Sequence, residues 1–375
     1  MAQLLDYLLW RGDLSFAQSP FNPVDNIILC QLSYLPFDGI VPGPDENSGI
    51  SVTQALSALS KKLENKKAKN KPVLMYKGDP ELVKKLGLTN RFGGCNLFGF
   101  VNHIDTEREL QFSALCVETG DGSCSIVYRG TDFSLVGWKE DFNMSFSEVI
   151  PAQIEAEKYL EKAAEKIRGH LRIAGHSKGG NLAVYAASQC GAKIQKRITA
   201  IYSNDAPGFH ENVIGSKGFA AVKDRIQSFV PQASVVGMLL EHGNDYTVVK
   251  SSAAGLLQHD LYTWEVTHDN LVNVDQVTPG SRFVDKTVRD WINSLDKEHR
   301  EKFFDSLFDI LNSSQAKSIP ELERSWFTAA SRMIYTLGNI DSSTRSLLRK
   351  TIRALIRSAG KNITLLKPEK GNGKK

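Results

Sequence analysis

The fold of this chain is decided by Leu171-Arg172-Ile173-Ala174-Gly175-His176-Ser177-Lys178-Gly179-Gly180-Asn181-Leu182-Ala183. Leu171 to Ala174 is a compact apolar run that reads as a strand, and Asn181 to Gln189 is a small-residue segment that reads as a helix. Between them lies a G-x-S-x-G motif. A strand that turns into a helix over so few residues bends sharply, and side chains two before and two after the serine would collide. Gly175 and Gly179 remove those side chains, and Gly180 lets the helix pack closely. The helix N-terminus then lies under Ser177, where its free N–H groups favour negative charge developing on a bound carbonyl oxygen. A five-residue pattern also arises by chance, so a glycine-rich turn with an idle serine stands as the competing reading.

Outward from this turn, Leu97 to Val101, Leu110 to Val117 and Ser125 to Tyr128 read as short strands, separated by turns such as Gly120-Asp121-Gly122. A helix is expected from Pro151 to Arg168, with proline suited to the first turn. Further strands are expected at Ile198 to Tyr202, Arg225 to Val230, Tyr246 to Lys250, and a last one around Tyr262 to Val266. Strands alternating with helices predict an α/β protein with a mostly parallel sheet covered on both faces. Toward the N-terminus, Leu4 to Trp10 and Val52 to Leu63 have helical spacing, while Asn22 to Ile40 mixes proline and glycine with apolar residues. After Pro279-Gly280 strand signals stop. Phe304, Leu307, Phe308 and Leu311 follow helical spacing, as do Leu348, Ile352, Leu355 and Ile356, with Arg345, Arg349, Arg353 and Arg357 on an adjacent stripe. The expected organisation is an α/β unit over residues 1–280, an α-helical C-terminal appendage over 281–365 and a disordered basic tail over 366–375.

A length of 375 residues suits one large core, or one large core plus a smaller module, and a net charge of +4 does not by itself imply nucleic acid. Cys30, Cys95, Cys116, Cys124 and Cys190 are scattered without a C-x-x-C pair, which argues against a disulfide framework and against zinc. Free thiols fit a reducing compartment. The N-terminal residues meet Asp6 before any sustained apolar run, and no stretch approaches the ~18 apolar residues of a membrane span. A cytoplasmic protein is expected. Lysines at 61, 62, 66, 67, 69 and 71, together with the basic residues from Arg345 onward, admit two readings: solvated faces and a frayed tail, or peripheral contact with an anionic membrane.

A serine nucleophile needs a base, and the base needs an orienting acid; for a strand-to-helix serine these follow in the order acid, then histidine. That order excludes His103, His170 and His176 and leaves His210, His242, His259, His268 and His299. His259 follows the Tyr246 to Lys250 strand after a short loop and is the preferred base, with His268 next. Asp205 follows the strand after the nucleophile's own, at the sheet edge where such sites gather, and is the preferred acid. Asp260 and Asp245 are alternatives. The oxyanion donors expected are the N–H of Lys178 and a second donor from Arg129-Gly130-Thr131-Asp132, where Thr131 offers both an N–H and a hydroxyl.

Arg129-Gly130-Thr131-Asp132 with Trp138 and Asp141, followed by Ala174 to Ala183, resembles the fungal-type triacylglycerol lipases. Closer still is the Mbeg-like bacterial branch, through Asn22-Pro-Val-Asp25, Gln31-Leu-Ser-Tyr34, Tyr202-Ser-Asn-Asp205-Ala-Pro-Gly208-Phe209, Ser234-Val-Val-Gly237-Met-Leu-Leu240-Glu-His242, and Gln258-His259-Asp260 with Trp264. The resemblance implies an α/β-hydrolase fold and lipase or esterase chemistry, with Ser177 as nucleophile and Thr131 and Lys178 as oxyanion donors. Two positions depart from the fungal pattern. Gln232-Ala233-Ser234 stands about where those lipases carry their acid, and no carboxylate is present there. Lys178 stands where many lipases have an apolar residue, and a cation beside the scissile bond would point to a polar or anionic group nearby.

The function expected is hydrolysis of carboxylic esters or acyl lipids through Ser177, Asp205 and His259, without metal or organic cofactor. The alternative, prompted by the missing carboxylate, is a hydrolase-fold binding or scaffold protein whose triad has decayed.

Overall fold

The computed structural model describes residues 2–65, 73–132, 134–144, 147–241, 243, 245–312 and 342–362. Eight strands form one sheet in simple chain order: β1 (Ile50–Ser51), β2 (Asn96–Asp105), β3 (Leu110–Glu118), β4 (Ser123–Tyr128), β5 (His170–His176), β6 (Ile198–Asn204), β7 (Ile226–Pro231) and β8 (Tyr246–Val249). β1 to β4 pair antiparallel and β4 to β8 pair parallel. The alternation of side chains along each strand divides the core between two faces. On β3, Leu115 and Val117 join one cluster with Ile27, Ile28 and Leu56, whereas Ala114 and Cys116 join a second with Leu160, Leu182 and Ala186. Helices Pro23–Leu32 and Val52–Glu64 cover the first face; Pro151–Lys166 and Lys178–Gln189 cover the second.

The Pro23–Leu32 helix lies in the segment whose proline and glycine obscured it. Residues Val24 to Leu32 are all buried, so the run has no polar face to impose a period. Its start is nevertheless written in Asn22 and Asp25: the Asn22 side chain accepts from the N–H groups of Val24 and Asp25, and Asp25 accepts from the Asn22 N–H. Asp25 also takes a buried two-point ion pair from Arg91, whose guanidinium spans the carbonyls of Leu14, Ser19 and Pro20. The Asn22-Pro-Val-Asp25 motif therefore anchors the N-terminal segment to the first face.

The strand expected at Tyr262 to Val266 is absent from the sheet. Asp260 caps a short 3-10 turn, Leu261–Thr263, by accepting from the Tyr262 N–H. Val266–Thr267 then forms a two-residue ladder with Asn270–Leu271, and the Val266 N–H donates to the Ala2 carbonyl. A capped turn and a two-residue ladder replace a continuous strand because the chain doubles back past the edge at β8. Beyond it, helices Pro279–Asn293, Lys297–Asn312 and Ser342–Asn362 form the C-terminal appendage. Trp291 donates its indole N–H to the Thr351 carbonyl, and Asn362 donates to Asp290. The expected tail over 366–375 lies outside the described residues, as do Lys66, Lys67, Lys69 and Lys71. No described helix is long and apolar enough to cross a membrane.

Candidate active site

Ser177 sits between β5 and the Lys178–Gln189 helix with φ +59° and ψ −134°. A non-glycine residue in that region is strained, and the surroundings hold it there. Its N–H donates to the Asn204 carbonyl at 2.9 Å and its carbonyl accepts from Gly180 N–H at 2.9 Å. A side chain at Gly175 would lie 2.0 Å from the Gly179 carbonyl oxygen, and one at Gly179 would lie 2.1 Å from that of Tyr128. Both glycines are thus required by close backbone approach. Gly130 has the same cause: a side chain there would stand 2.4 Å from the Tyr34 hydroxyl and 2.9 Å from Ser177 Cβ. The loop carrying Thr131 therefore runs directly beside the serine.

Asp205 directly follows β6 with φ +44° and is 1% exposed. Its Oδ2 lies 2.6 Å from Nδ1 of His259; in the neutral ring Nδ1–H donates to the carboxylate and Nε2 is the acceptor. The other oxygen, Oδ1, accepts from the Ser234 hydroxyl at 2.5 Å and from the Gly237 N–H at 3.1 Å. Ser234 opens the Ser234 to His242 motif and carries no charge of its own. The structure makes it a support of Asp205, and Gly237 must be glycine because a side chain there would meet Oδ1 at 2.4 Å. Within the Ser234 to His242 motif, Ser234 and Gly237 thus form a cradle for one carboxylate oxygen. Gln258 joins the loop of His259 to the same turn, accepting from Ala233 N–H and donating to the Ala253 carbonyl, while Trp264 donates to the Gln258 carbonyl.

The His259 ring lies against that of His176, the residue before the serine, with centroids 4.4 Å apart and planes tilted by 37°. Ser177, Asp205 and His259 are thereby gathered at the carboxyl ends of β5 and β6. Among the described residues no hydrogen bond joins the Ser177 hydroxyl to His259, a bond that is often long in unliganded sites of this kind. Of the other described downstream histidines, His210 and His299 have rings bonded elsewhere and His268 is exposed. His210 bonds the Met144 carbonyl, His299 pairs with Asp296, and His268 offers its carbonyl to Trp10. His242 lies outside the described residues. Of the alternative acids, Asp260 caps its own turn and Asp245 is exposed.

Thr131 donates its hydroxyl hydrogen to Asp141 at 2.7 Å. A hydroxyl has one hydrogen, so the backbone N–H is the donor Thr131 offers to a ligand while Asp141 is ionised. Burial pushes the Asp141 carboxyl up to about 6. Asp141 belongs to a helix, Leu135–Asn143, that periodicity did not reveal.

The side chain of Lys178 corrects an expectation. Rather than placing a cation beside the scissile bond, it is 1% exposed and runs into the second face. There its ammonium donates to Glu140 at 2.7 Å and to Gln111 Oε1 and O at 2.7 and 2.9 Å. Glu140 is itself buried and accepts from Ala152 and Gln111 N–H groups, so the charge is neutralised inside the protein. The lysine implies no anionic substrate group.

A sheet with a strained serine at the β5-to-helix turn and an Asp–His pair after it defines an α/β-hydrolase fold of the lipase-like type. The family model described as Mbeg1-like matches residues 86–309, and the chain belongs to that family. Among solved structures, it is similar to the native Rhizomucor miehei lipase propeptide complex at 13% identity, covering 53% of this chain and 66% of that one with a TM-score of 0.33. A lipase from Rhizopus microsporus var. chinensis is 14% identical over 52% of this chain and 70% of its own, TM-score 0.33. A triacylglycerol lipase from Penicillium expansum is 12% identical over 48% and 74%, TM-score 0.31. No curated relative matches the chain.

Proposed function

We propose that this protein is a serine hydrolase that cleaves carboxylic esters, with acyl lipids among its substrates. The observation that carries the reading is the His259 ring, held through Nδ1 by Asp205 at 2.6 Å and lying tilted against the residue that precedes a strained Ser177. In this mechanism His259 Nε2 takes the Ser177 proton as the hydroxyl oxygen attacks the ester carbonyl. The N–H groups of Lys178 and Thr131 receive the oxyanion. The imidazolium, stabilised by Asp205, protonates the leaving alcohol, and water then releases the acid by the same steps. The decayed-triad reading rested on the missing carboxylate near Ala233; Asp205 reaches the histidine from a different strand end, which removes that reason for it. Hydrolysis of p-nitrophenyl butyrate tests the proposal: activity in the wild type that falls at least ~100-fold in Ser177→Ala is expected. Equal rates in both would overturn it.

A second reading concerns where the enzyme acts. Helix Ser342–Asn362 contains no carboxylate, and Arg349, Ile352, Arg353, Ile356 and Arg357 are exposed along it. A face that mixes arginine with isoleucine suits an anionic bilayer, at about 1 kcal/mol for each basic side chain near the surface. We place the protein in the cytoplasm, in keeping with five buried free thiols. Co-sedimentation with phosphatidylserine vesicles at low salt, lost in Arg349→Glu/Arg353→Glu, is expected. No binding at low salt would reject peripheral contact.

A further inference from the structure

His176 is fully buried between Tyr34 and His259. Its Nε2 lies 2.8 Å from the His259 carbonyl oxygen, which can only accept, so Nε2 carries the ring hydrogen. Nδ1, 2.9 Å from the Tyr34 oxygen, is then the acceptor of the tyrosine hydroxyl. The same tyrosine oxygen accepts the Gly130 N–H at 3.2 Å. Burial first, and the neighbouring His259 second, hold this imidazole neutral, well below the ordinary histidine range. One directional chain of donors results: Gly130 N–H to Tyr34, Tyr34 O–H to His176, and His176 N–H to the backbone of His259. Its members come from four separate stretches of sequence, and its ends are the residue before Thr131 and the residue read as the base.

We propose that Tyr34 and His176 are positioning residues that hold the oxyanion loop and the base loop in register on either side of Ser177. The inference rests on the hydrolase reading of Ser177 and His259. Neither Tyr34 nor His176 is assigned a proton-transfer step or a contact with the substrate. Their effect passes through backbone atoms: the carbonyl of His259 on one side and the N–H of Gly130 on the other. The direction of the chain matters. Without the tyrosine hydroxyl, the His176 ring is free to move its hydrogen to Nδ1, and the tether on His259 is then lost.

Four variants separate this role from simple filling of the core, each assayed for kcat and KM on p-nitrophenyl butyrate and for thermal unfolding. Tyr34→Phe keeps the ring that packs edge-on against Tyr76 at 5.2 Å and removes only the hydroxyl. It is expected to lower kcat about tenfold with KM little changed, the size of one positioning hydrogen bond. His176→Leu should lower kcat at least as much. The glutamine amide nitrogen is as many bonds from Cβ as Nε2, so His176→Gln can still donate to the His259 carbonyl. It should recover most of the kcat that leucine loses. His176→Asn reaches only toward Tyr34 and should not recover it. A packing role would instead rank the variants by unfolding temperature and leave the Gln–Asn order unrelated to kcat. Wild-type kcat in folded Tyr34→Phe, or equal kcat for the Gln and Asn variants, would overturn the proposal while the hydrolase reading stands. A wild-type chain without esterase activity would overturn both.

Discussion

Replacing Gly237 with alanine perturbs the candidate site through one atom. The new Cβ would stand 2.4 Å from Asp205 Oδ1, 2.8 Å from Ser234 Oγ and 2.8 Å from Val230 Cγ1. Ordinary contact needs roughly 1 Å more, and the buried carboxylate has little room to yield. Its opposite oxygen holds His259 at 2.6 Å, so displacement of Oδ1 is passed to the imidazole. A misplacement of about 1 Å in a catalytic group costs about 100-fold in rate. Overpacking costs about 1–3 kcal/mol of stability, which leaves most domains folded. Ser234→Ala grades the effect: it removes the hydroxyl that donates at 2.5 Å but leaves the Gly237 N–H, so about a tenfold loss is expected. The assay is kcat/KM on a short p-nitrophenyl ester, with circular dichroism to confirm folding. A folded Gly237→Ala variant with wild-type kcat/KM would refute the claim that Asp205 orients the base.

Three further outcomes are expected. Thr131→Val keeps the backbone N–H but releases the loop from Asp141, and kcat should fall about tenfold; an unchanged kcat would show that the tether is dispensable. Lys178→Met strands the buried Glu140 and should cost about 3–5 kcal/mol in urea unfolding, partly restored by adding Glu140→Gln. A stability loss no larger in the single than in the double variant would contradict the pairing. Burial pushes the Asp79 carboxyl, which accepts from Tyr262, up to about 6. A raised carboxyl adds stability that is full below its ordinary value near 3.8 and is lost as pH rises through about 6. The stability of the wild type relative to Asp79→Asn should therefore fall between about pH 4 and pH 7, by on the order of 3 kcal/mol at most. A constant difference would contradict the assignment.

Much of the fold is legible because local rules and global packing agree at β5 and the turn after it. An apolar run, three glycines and a small-residue helix leave few ways to bend the chain, and the backbone contacts at Gly175 and Gly179 show why. Legibility fails where a pattern depends on tertiary contact. Pro23–Leu32 is buried all round and so lacks an amphipathic period, although its cap was written in Asn22 and Asp25. The direction of the Lys178 side chain depends on Glu140, far away in sequence and itself carried on an unforeseen helix. In the site, the G-x-S-x-G turn brought Ser177 forward, strand order brought Asp205, and strand order with the Mbeg-like resemblance brought His259. The supports of Asp205 were not recoverable this way, since Ser234 and Gly237 act on a residue some thirty positions earlier. A serine followed three residues later by a glycine, with no carboxylate from Gln232 to Gly237, is the signal that could have suggested a cradle for a carboxylate supplied from elsewhere.

The central claim is that Ser177 is a nucleophile activated by His259. Reaction of the full chain with a fluorophosphonate, followed by intact mass and peptide mapping, tests it without knowledge of the natural ester. A single adduct on Ser177, absent in Ser177→Ala and strongly slowed in His259→Ala, is the predicted result. A folded wild-type chain that stays unlabelled, or an adduct that persists in Ser177→Ala, would contradict it.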